Sequence, residues 1–345
     1  MQIKNREIGI VLPAESAKSA EVNTDKNYSP HLEDIYNIDN LYNGFKTASK
    51  GKRNRKAIFD FENNLFEELQ QLSEELKSKT YKPRGYRTFK VYEPKEREIT
   101  APQFRDSVVQ HTIYNLVYDI FDKGFVYQSY GCRKGKGTHK ASVQLQTYMR
   151  KCEGNDYYLQ LDIRKYYYSI NHNILRESIS RKIKDVDLVD LIMLFVDTIK
   201  KIGLFIGNVL SQLFGLIYLD RLDHFIKRTL KQKHYLRYVD DFIIVGLYYQ
   251  EAKRLLDIIK KYIYKELELV LSKFRIAKIK KGSNFVGYRT WKSKKYVRKR
   301  TLYHFSKALR LNNKEALNSL LGHAKQSSTI GYMQTKIKEQ NALQV

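Results

Sequence analysis

A chain of 345 residues, 42% of them hydrophobic, can bury one large core or two to three modest subdomains, which excludes a disordered chain. Its two cysteines, Cys132 and Cys152, form no C-x-x-C pair; this excludes a disulfide framework and a cysteine-built zinc site and fits a reducing, cytoplasmic setting. The 63 Lys and Arg against 37 Asp and Glu leave a net charge of +26, more than solubility needs, so a polyanionic partner such as nucleic acid is expected.

Residues 1–40 read as a polar N-terminal extension without the long apolar stretch of a secretory signal. From Ile35 to Lys79 the pattern turns helical, with Phe61, Leu65, Leu69, Leu72 and Leu76 at three- and four-residue steps. A basic loop, Gly51 to Lys56, precedes that stripe, and Tyr81 to Gly85, containing Pro83, ends it. Alternation over Phe89, Val91 and Ile99, interrupted by Glu93-Pro94-Lys95-Glu96, predicts a β-hairpin with a charged tip. A helix follows from about Phe104 to Phe121, then a Gly- and Lys-rich loop from Ser129 to Ala141 that runs into another helix. The apolar run Ile202 to Leu219 is just long enough to cross a bilayer, but Asn208, Ser211 and Gln212 in its middle would be costly in lipid. No membrane partner is expected.

The sharpest signal is HYLRYVDDFIIVG, His234 to Gly246. Adjacent aspartates, Asp240 and Asp241, sit between two β-prone apolar runs, which predicts a hairpin with acids at its tight turn. An isolated Asp-Asp turn is ordinarily a surface Asx turn. Here the flanking strands would strip both carboxylates of hydration, a cost that a divalent cation offsets. A third acid, Asp162, lies near the end of a strand-like run, Tyr158 to Ile163, and Asn171 reads as the N-cap of the helix beyond it. Three such carboxylates can hold two Mg²⁺ ions, or Mn²⁺ in their place, for in-line nucleotidyl transfer.

These segments, in this order, resemble prokaryotic reverse transcriptases. YVDD (Tyr238 to Asp241) is similar to their catalytic hairpin, LDIRKYYYSI (Leu161 to Ile170) to their first palm motif, and GLFIGNVLSQ (Gly203 to Gln212) to their template and nucleotide platform. LSKFRIAKIKKGSNFVGYR (Leu271 to Arg289) is similar to the last palm motifs and primer grip, and KEREI with FRDSVVQH to the fingers. The I-G-x-x-x-S-Q form, with Gln212 where group II intron and retroviral enzymes usually have proline, resembles diversity-generating retroelement and defence-associated enzymes.

The resemblance implies an α+β right-hand polymerase: fingers and palm over 41–288, the palm built on an antiparallel sheet, and a small, basic, helical thumb over 289–345. It implies an RNA-directed DNA polymerase in a bacterial or phage defence system or diversity-generating retroelement. Its partners would be an RNA template, a DNA product and dNTPs, with an accessory protein or second polymerase subunit. Asp162, Asp240 and Asp241 would be the catalytic carboxylates and, with Ile163, the metal ligands. Lys95 and Arg97 would grip the triphosphate. Tyr167 would exclude a 2′-hydroxyl, Gly207 and Gln212 would lie against the nascent base pair, and Phe285, Gly287 and Tyr288 would hold the primer end. The proton donor to the leaving pyrophosphate is left between Lys273 and Arg275.

From Leu271 onward there are 18 basic and 2 acidic residues. Within that stretch, Lys294, Lys295, Arg298 and Arg300 are expected to touch phosphates of a bound duplex or RNA. Two competing readings share the fold: a nucleic-acid-binding scaffold that has lost catalysis, and an RNA-templated RNA polymerase. The intact acids speak against the first and Tyr167 against the second.

Overall fold

The computed structural model describes residues 29–92, 96–153, 156–197 and 202–342. The helical stretch after residue 30 is realised as four helices rather than one: α1 (Leu32–Tyr36), α2 (Ile38–Ser49), α3 (Lys56–Asn63) and α4 (Leu65–Lys77). Its breaks are chemical. Asn37 turns its side-chain oxygen onto the Asp39 and Asn40 amides to cap α2, and the basic loop separates α2 from α3. The hairpin follows as β1 (Tyr86–Val91) and β2 (Arg97–Pro102), paired from Tyr86↔Pro102 to Val91↔Arg97. Of its expected charged tip, Glu93, Pro94 and Lys95 lie outside the described residues, and Glu96 pairs with Lys90 at 2.7 Å. Helix α5 (Phe104–Asp122) buries Val108, Val109, Ile113 and Val117 and packs along α2, which makes the fingers one layered unit.

Next come α6 (Thr138–Lys151), β3 (Tyr157–Ile163), α7 (His172–Ser180), α8 (Val186–Leu194) and α9 (Val209–His224). Asn171 caps α7 as the sequence predicts, accepting from the Asn173 and Ile174 amides. The apolar run at 202–219 does not form one span. It is a loop followed by α9, most of whose residues are buried in the core, and no described helix is long and apolar enough to cross a membrane. The hairpin β4 (Tyr235–Tyr238) and β5 (Asp241–Leu247), helix α10 (Tyr249–Leu267) and β6 (Leu271–Lys278) complete a sheet ordered β4-β5-β3-β6, antiparallel throughout.

Around β4 and β5 both faces of this sheet are covered, which explains why those two strands read as continuous apolar runs rather than alternating ones, whereas β6 is largely exposed. Leu159, Leu161, Phe242 and Ile244 join the main core with α9 and α10. Tyr158, Ile243 and Val245 join a second core with Leu145 and Met149 of α6. Because side chains alternate along a strand, Gln160 and Asp162 share the second face with Tyr158.

A three-stranded sheet, β7 (Ser283–Phe285), β8 (Tyr288–Thr290) and β9 (Lys295–Val297), leads to α11 (Lys299–Arg310), α12 (Lys314–Ala324) and α13 (Ile330–Ala342). These close a third core of Tyr288, Val297, Phe305, Leu317 and Met333. The expected divisions fall inside elements: position 41 lies within α2, and the 288/289 division cuts β8, which pairs on both sides within one sheet.

Candidate active site at the end of the palm sheet

The β4–β5 pairing ends at Tyr238↔Asp241, leaving Val239 and Asp240 in the turn. Val239 has φ of 57°, a left-handed conformation that a β-branched residue adopts only under constraint. Two features supply that constraint. Arg237, fully buried, donates from Nη1 to the Val239 carbonyl at 3.0 Å, while Nε and Nη2 grip both oxygens of Asp223 at 2.7 and 2.5 Å. Tyr235 donates to the same Asp223 carboxylate at 2.5 Å. On the other side, a Cβ added to Gly131 would lie 2.6 Å from Val239 Cγ2 and 2.7 Å from the Val239 nitrogen, so the loop before α6 must carry glycine there. Arg237 lies within the hairpin motif and Gly131 within the Gly- and Lys-rich loop, yet neither they nor Asp223 receive a role from the sequence. The signal for Arg237 is its place as a cation inside an apolar strand, since such a group needs a buried partner.

Asp162 stands directly opposite Asp241 across the β3–β5 pair. Ser272 Oγ donates to the Asp162 carboxylate, and Gln160 Nε2 donates to Asp241 Oδ1 at 2.9 Å. Burial raises the Asp241 pKa to about 7, with Asp162 and Asp240 adding repulsion. Asp240 is raised in the same way, by burial and then by Asp162, with Arg97 and Arg237 opposing. Ile163 is buried by its side chain, and its amide donates to the Asp240 carbonyl at 3.3 Å.

As the side chains stand, no three metal-type ligands converge among the described residues. The donor set nevertheless fits a divalent cation. The groups are hard oxygens, they repel one another, and opposed residues on one face of an antiparallel pair have Cβ atoms roughly 4.5–5.5 Å apart, within reach of a shared ion by side-chain rotation.

Tyr167 lies in a single 3₁₀ turn, Tyr166–Ser169, that follows β3 after Lys165 takes φ of 45°. A Cβ on Gly215 of α9 would be 3.1 Å from the Tyr167 ring; the absence of a side chain there lets the ring lie close along α9. Burial raises the Tyr167 pKa, and the neighbouring Cys132 and Asp240 raise it further, so the phenol stays neutral beside the acids. Gly207, at φ of 133°, abuts β2, where a Cβ would meet Ile99 Cγ2 at 2.8 Å, and the Ile206 carbonyl accepts from the Thr100 amide at 2.8 Å. Gly207 and the exposed Gln212 line a groove of about 1220 Å³ between fingers and α9, whose wall also carries Lys52, Arg55, Lys56 and Arg87.

Residues 88–290 match the family model for reverse transcriptase (RNA-dependent DNA polymerase). The chain belongs to the reverse transcriptase family. It is 28% identical over 208 residues to the group II intron-encoded protein LtrA of Lactococcus lactis subsp. cremoris, covering 56% of this chain and 33% of that protein. The chain thus spans about a third of the length of that relative. It is 25% identical over 291 residues to protein YkfC of Escherichia coli, covering 68% of this chain and 73% of that one. The structure of apo telomerase from Candida tropicalis superposes with a TM-score of 0.52 at 14% identity, over 75% of this chain and 56% of that one. That likeness agrees with the α+β right-hand architecture of fingers, palm and thumb.

In this reverse transcriptase the expected primer-grip side chains are not surface groups. Phe285 and Tyr288 are fully buried anchors, and the Tyr288 hydroxyl donates to the His323 carbonyl at 2.5 Å. The β7–β8 hairpin exposes Asn284 and Arg289, and its half-buried turn, Val286–Gly287, has Gly287 at φ of 88° beside the His323 ring. The expected phosphate contacts also need one correction. Lys295 is only 5% exposed; its ammonium donates to Ser142 Oγ at 3.0 Å and sits over the Tyr288 ring. It pins β9 to α6 and is not free for phosphate. Lys294, Arg298 and Arg300 are exposed, and Arg298 lies close enough to Asp241 to oppose its upward shift.

Proposed function

We propose that this reverse transcriptase is an RNA-directed DNA polymerase that extends a primer 3′ end by two-metal nucleotidyl transfer. The observation that carries the reading is the meeting of Asp162, Asp240 and Asp241 at one sheet end, beside Tyr167. Divalent ions held by these carboxylates would activate the attacking 3′-oxygen and steady the triphosphate and its leaving group. The chain's own residues do the positioning. Arg97, whose charge opposes the upward shift of Asp240, is the described fingers cation for the triphosphate. Gly207 and Gln212 shape the floor for the new base pair, and the basic groove supports a single-stranded RNA template. The group II intron-encoded relative and the platform Ile206 to Gln212 support a bacterial or phage retroelement or defence setting. Primer extension on an RNA template with dNTPs and Mg²⁺ tests the reading; failure to extend any primer on RNA or DNA would overturn it.

Tyr167 carries the choice of sugar. Its ring is held by contact with Gly215, beside Asp240 and Cys132, where a 2′-hydroxyl would collide with it. Tyr167→Ala is expected to raise ribonucleotide incorporation relative to deoxynucleotide by roughly tenfold or more, the scale of a steric discrimination. An unchanged ratio in a variant that still polymerises removes Tyr167 from the sugar pocket.

Changing Lys294, Arg298 and Arg300 together to Ala is expected to weaken hybrid binding and flatten its salt dependence, by up to about 0.9 in log–log slope for each phosphate no longer neutralised. Thermal melting should barely move, because all three are exposed. Binding isotherms at several salt concentrations measure this, and an unaltered slope assigns the nucleic acid to another surface.

A further inference from the structure

One side chain ties three strands together at the site. Gln160, two residues before Asp162 on the same strand face, donates from Nε2 to Asp241 Oδ1 at 2.9 Å and to the Asn284 carbonyl at 2.9 Å. Its Oε1 accepts from Ser283 Oγ at 3.4 Å. The amide is therefore oriented by its partners: a carboxylate and a carbonyl both need a donor, and the hydroxyl supplies one back. Ser283 is fully buried, and Ser283–Phe285 is the strand that launches the Val286–Gly287 turn. Phe285 beside it is packed into the second core with Tyr158, Ile243 and Val245. Movement of the hairpin base is thus transmitted to Gln160, and from Gln160 to the carboxylate of Asp241.

We propose that Gln160 is a positioning residue that couples the seating of the β7–β8 hairpin, and of the primer end it holds, to the orientation of Asp241. The inference rests on the polymerase reading above. When the hairpin is seated, Asn284 and Ser283 fix the amide and the amide presents Asp241 in one orientation. When the hairpin shifts, the amide loses two of its three partners and Asp241 loses its aim. Addition would then be fastest only on a properly held primer end. A packing role alone makes a different demand: any side chain of similar volume should serve.

The test compares Gln160→Met, which keeps length and volume but removes all three bonds, with Gln160→Glu. Glutamate keeps the shape, still accepts from Ser283, and opposes both Asp241 and the Asn284 carbonyl. Single-nucleotide addition is expected to fall roughly tenfold in the Met variant, the scale of one lost hydrogen bond to a charged group, and further in the Glu variant. Primer–template affinity and melting temperature should stay near the parent's. Mn²⁺ titration of the enzyme–primer–template complex, followed by electron paramagnetic resonance, reads metal affinity without turnover and should show weaker binding in both variants. Ser283→Ala tests the same bridge from the other end, and its effect should be less than additive with Gln160→Met. Unchanged rate and Mn²⁺ affinity in Gln160→Met, or equal behaviour of the Met and Glu variants, overturns the coupling. If the parent adds no nucleotide to any primer, the polymerase reading fails, while Mn²⁺ binding and the Ser283 cycle still decide the bridge.

Discussion

Asp162→Asn and Asp240→Asn are each expected to lower nucleotide addition at least about a thousandfold, the scale of several kcal/mol of lost transition-state charge stabilisation. The two positions differ in setting but not in consequence. Asp162 faces Asp241 across the β3–β5 pair, so amidation removes one of two opposed carboxylates. Asp240 sits in the strained turn, where burial and then Asp162 raise its pKa against Arg97 and Arg237. Asparagine keeps the shape at both places while removing the charge that would attract a cation. RNA affinity should stay within a few-fold, because these groups are anionic and have no attraction for phosphate. Burst-phase primer extension, with RNA binding measured in parallel, is the check. Near-parental rates in either variant would show that the carboxylates do not serve the reaction.

Arg237 and Asp223 carry the second large expectation, on stability. Both are fully buried, and three hydrogen bonds from Arg237, with one from Tyr235, meet on Asp223 and the Val239 carbonyl. Burial lowers the Arg237 pKa, and the pairing with Asp223 more than offsets it. Asp223→Ala or Arg237→Met leaves one buried charge without its partner and is expected to cost about 3–5 kcal/mol of stability. Joining Arg237→Met with Asp223→Leu removes both charges and should recover much of that loss. It should not recover nucleotide addition, because nothing then holds the Val239 carbonyl. Denaturant melts and extension rates on the same three proteins separate the two outcomes. A double variant that is fully active would show that the turn holds its shape without Arg237.

Much of this architecture is written in local patterns. The hairpin around Asp240, the capping Asn171, the charged β1–β2 ribbon and the apolar stripe of α5 all follow from spacings of two, three or four residues. What stays hidden depends on pairings between distant positions. Lys295 looks like one of six cations in a surface cluster, yet its partner, Ser142, lies 153 positions away. The strand alternation around it, with Lys295 and Val297 inward and Lys294 and Tyr296 outward, is the available clue. Phe285 and Tyr288 likewise look like primer-touching residues because of the motif they sit in. Their burial depends on α6 and on the second and third cores, which only the folded chain assembles. The Gln160 bridge spans 124 positions and leaves no trace in any short window.

The palm sheet also has two ends to protect. The outer side of β4 is occupied by the segment at Ser129, which bridges to Arg237. Among the described residues strand β6 ends the sheet on the other side, and its exposed run, Ser272 to Arg275, displays Lys273 and Arg275 around Phe274. An uncovered strand edge is a template on which a second molecule could continue the ladder. Two such edges approaching each other would bring four like charges within a few ångströms. The cationic row is expected to discourage self-association through the sheet, and Lys273→Val with Arg275→Val to raise aggregation, which light scattering of the two proteins at equal concentration would measure.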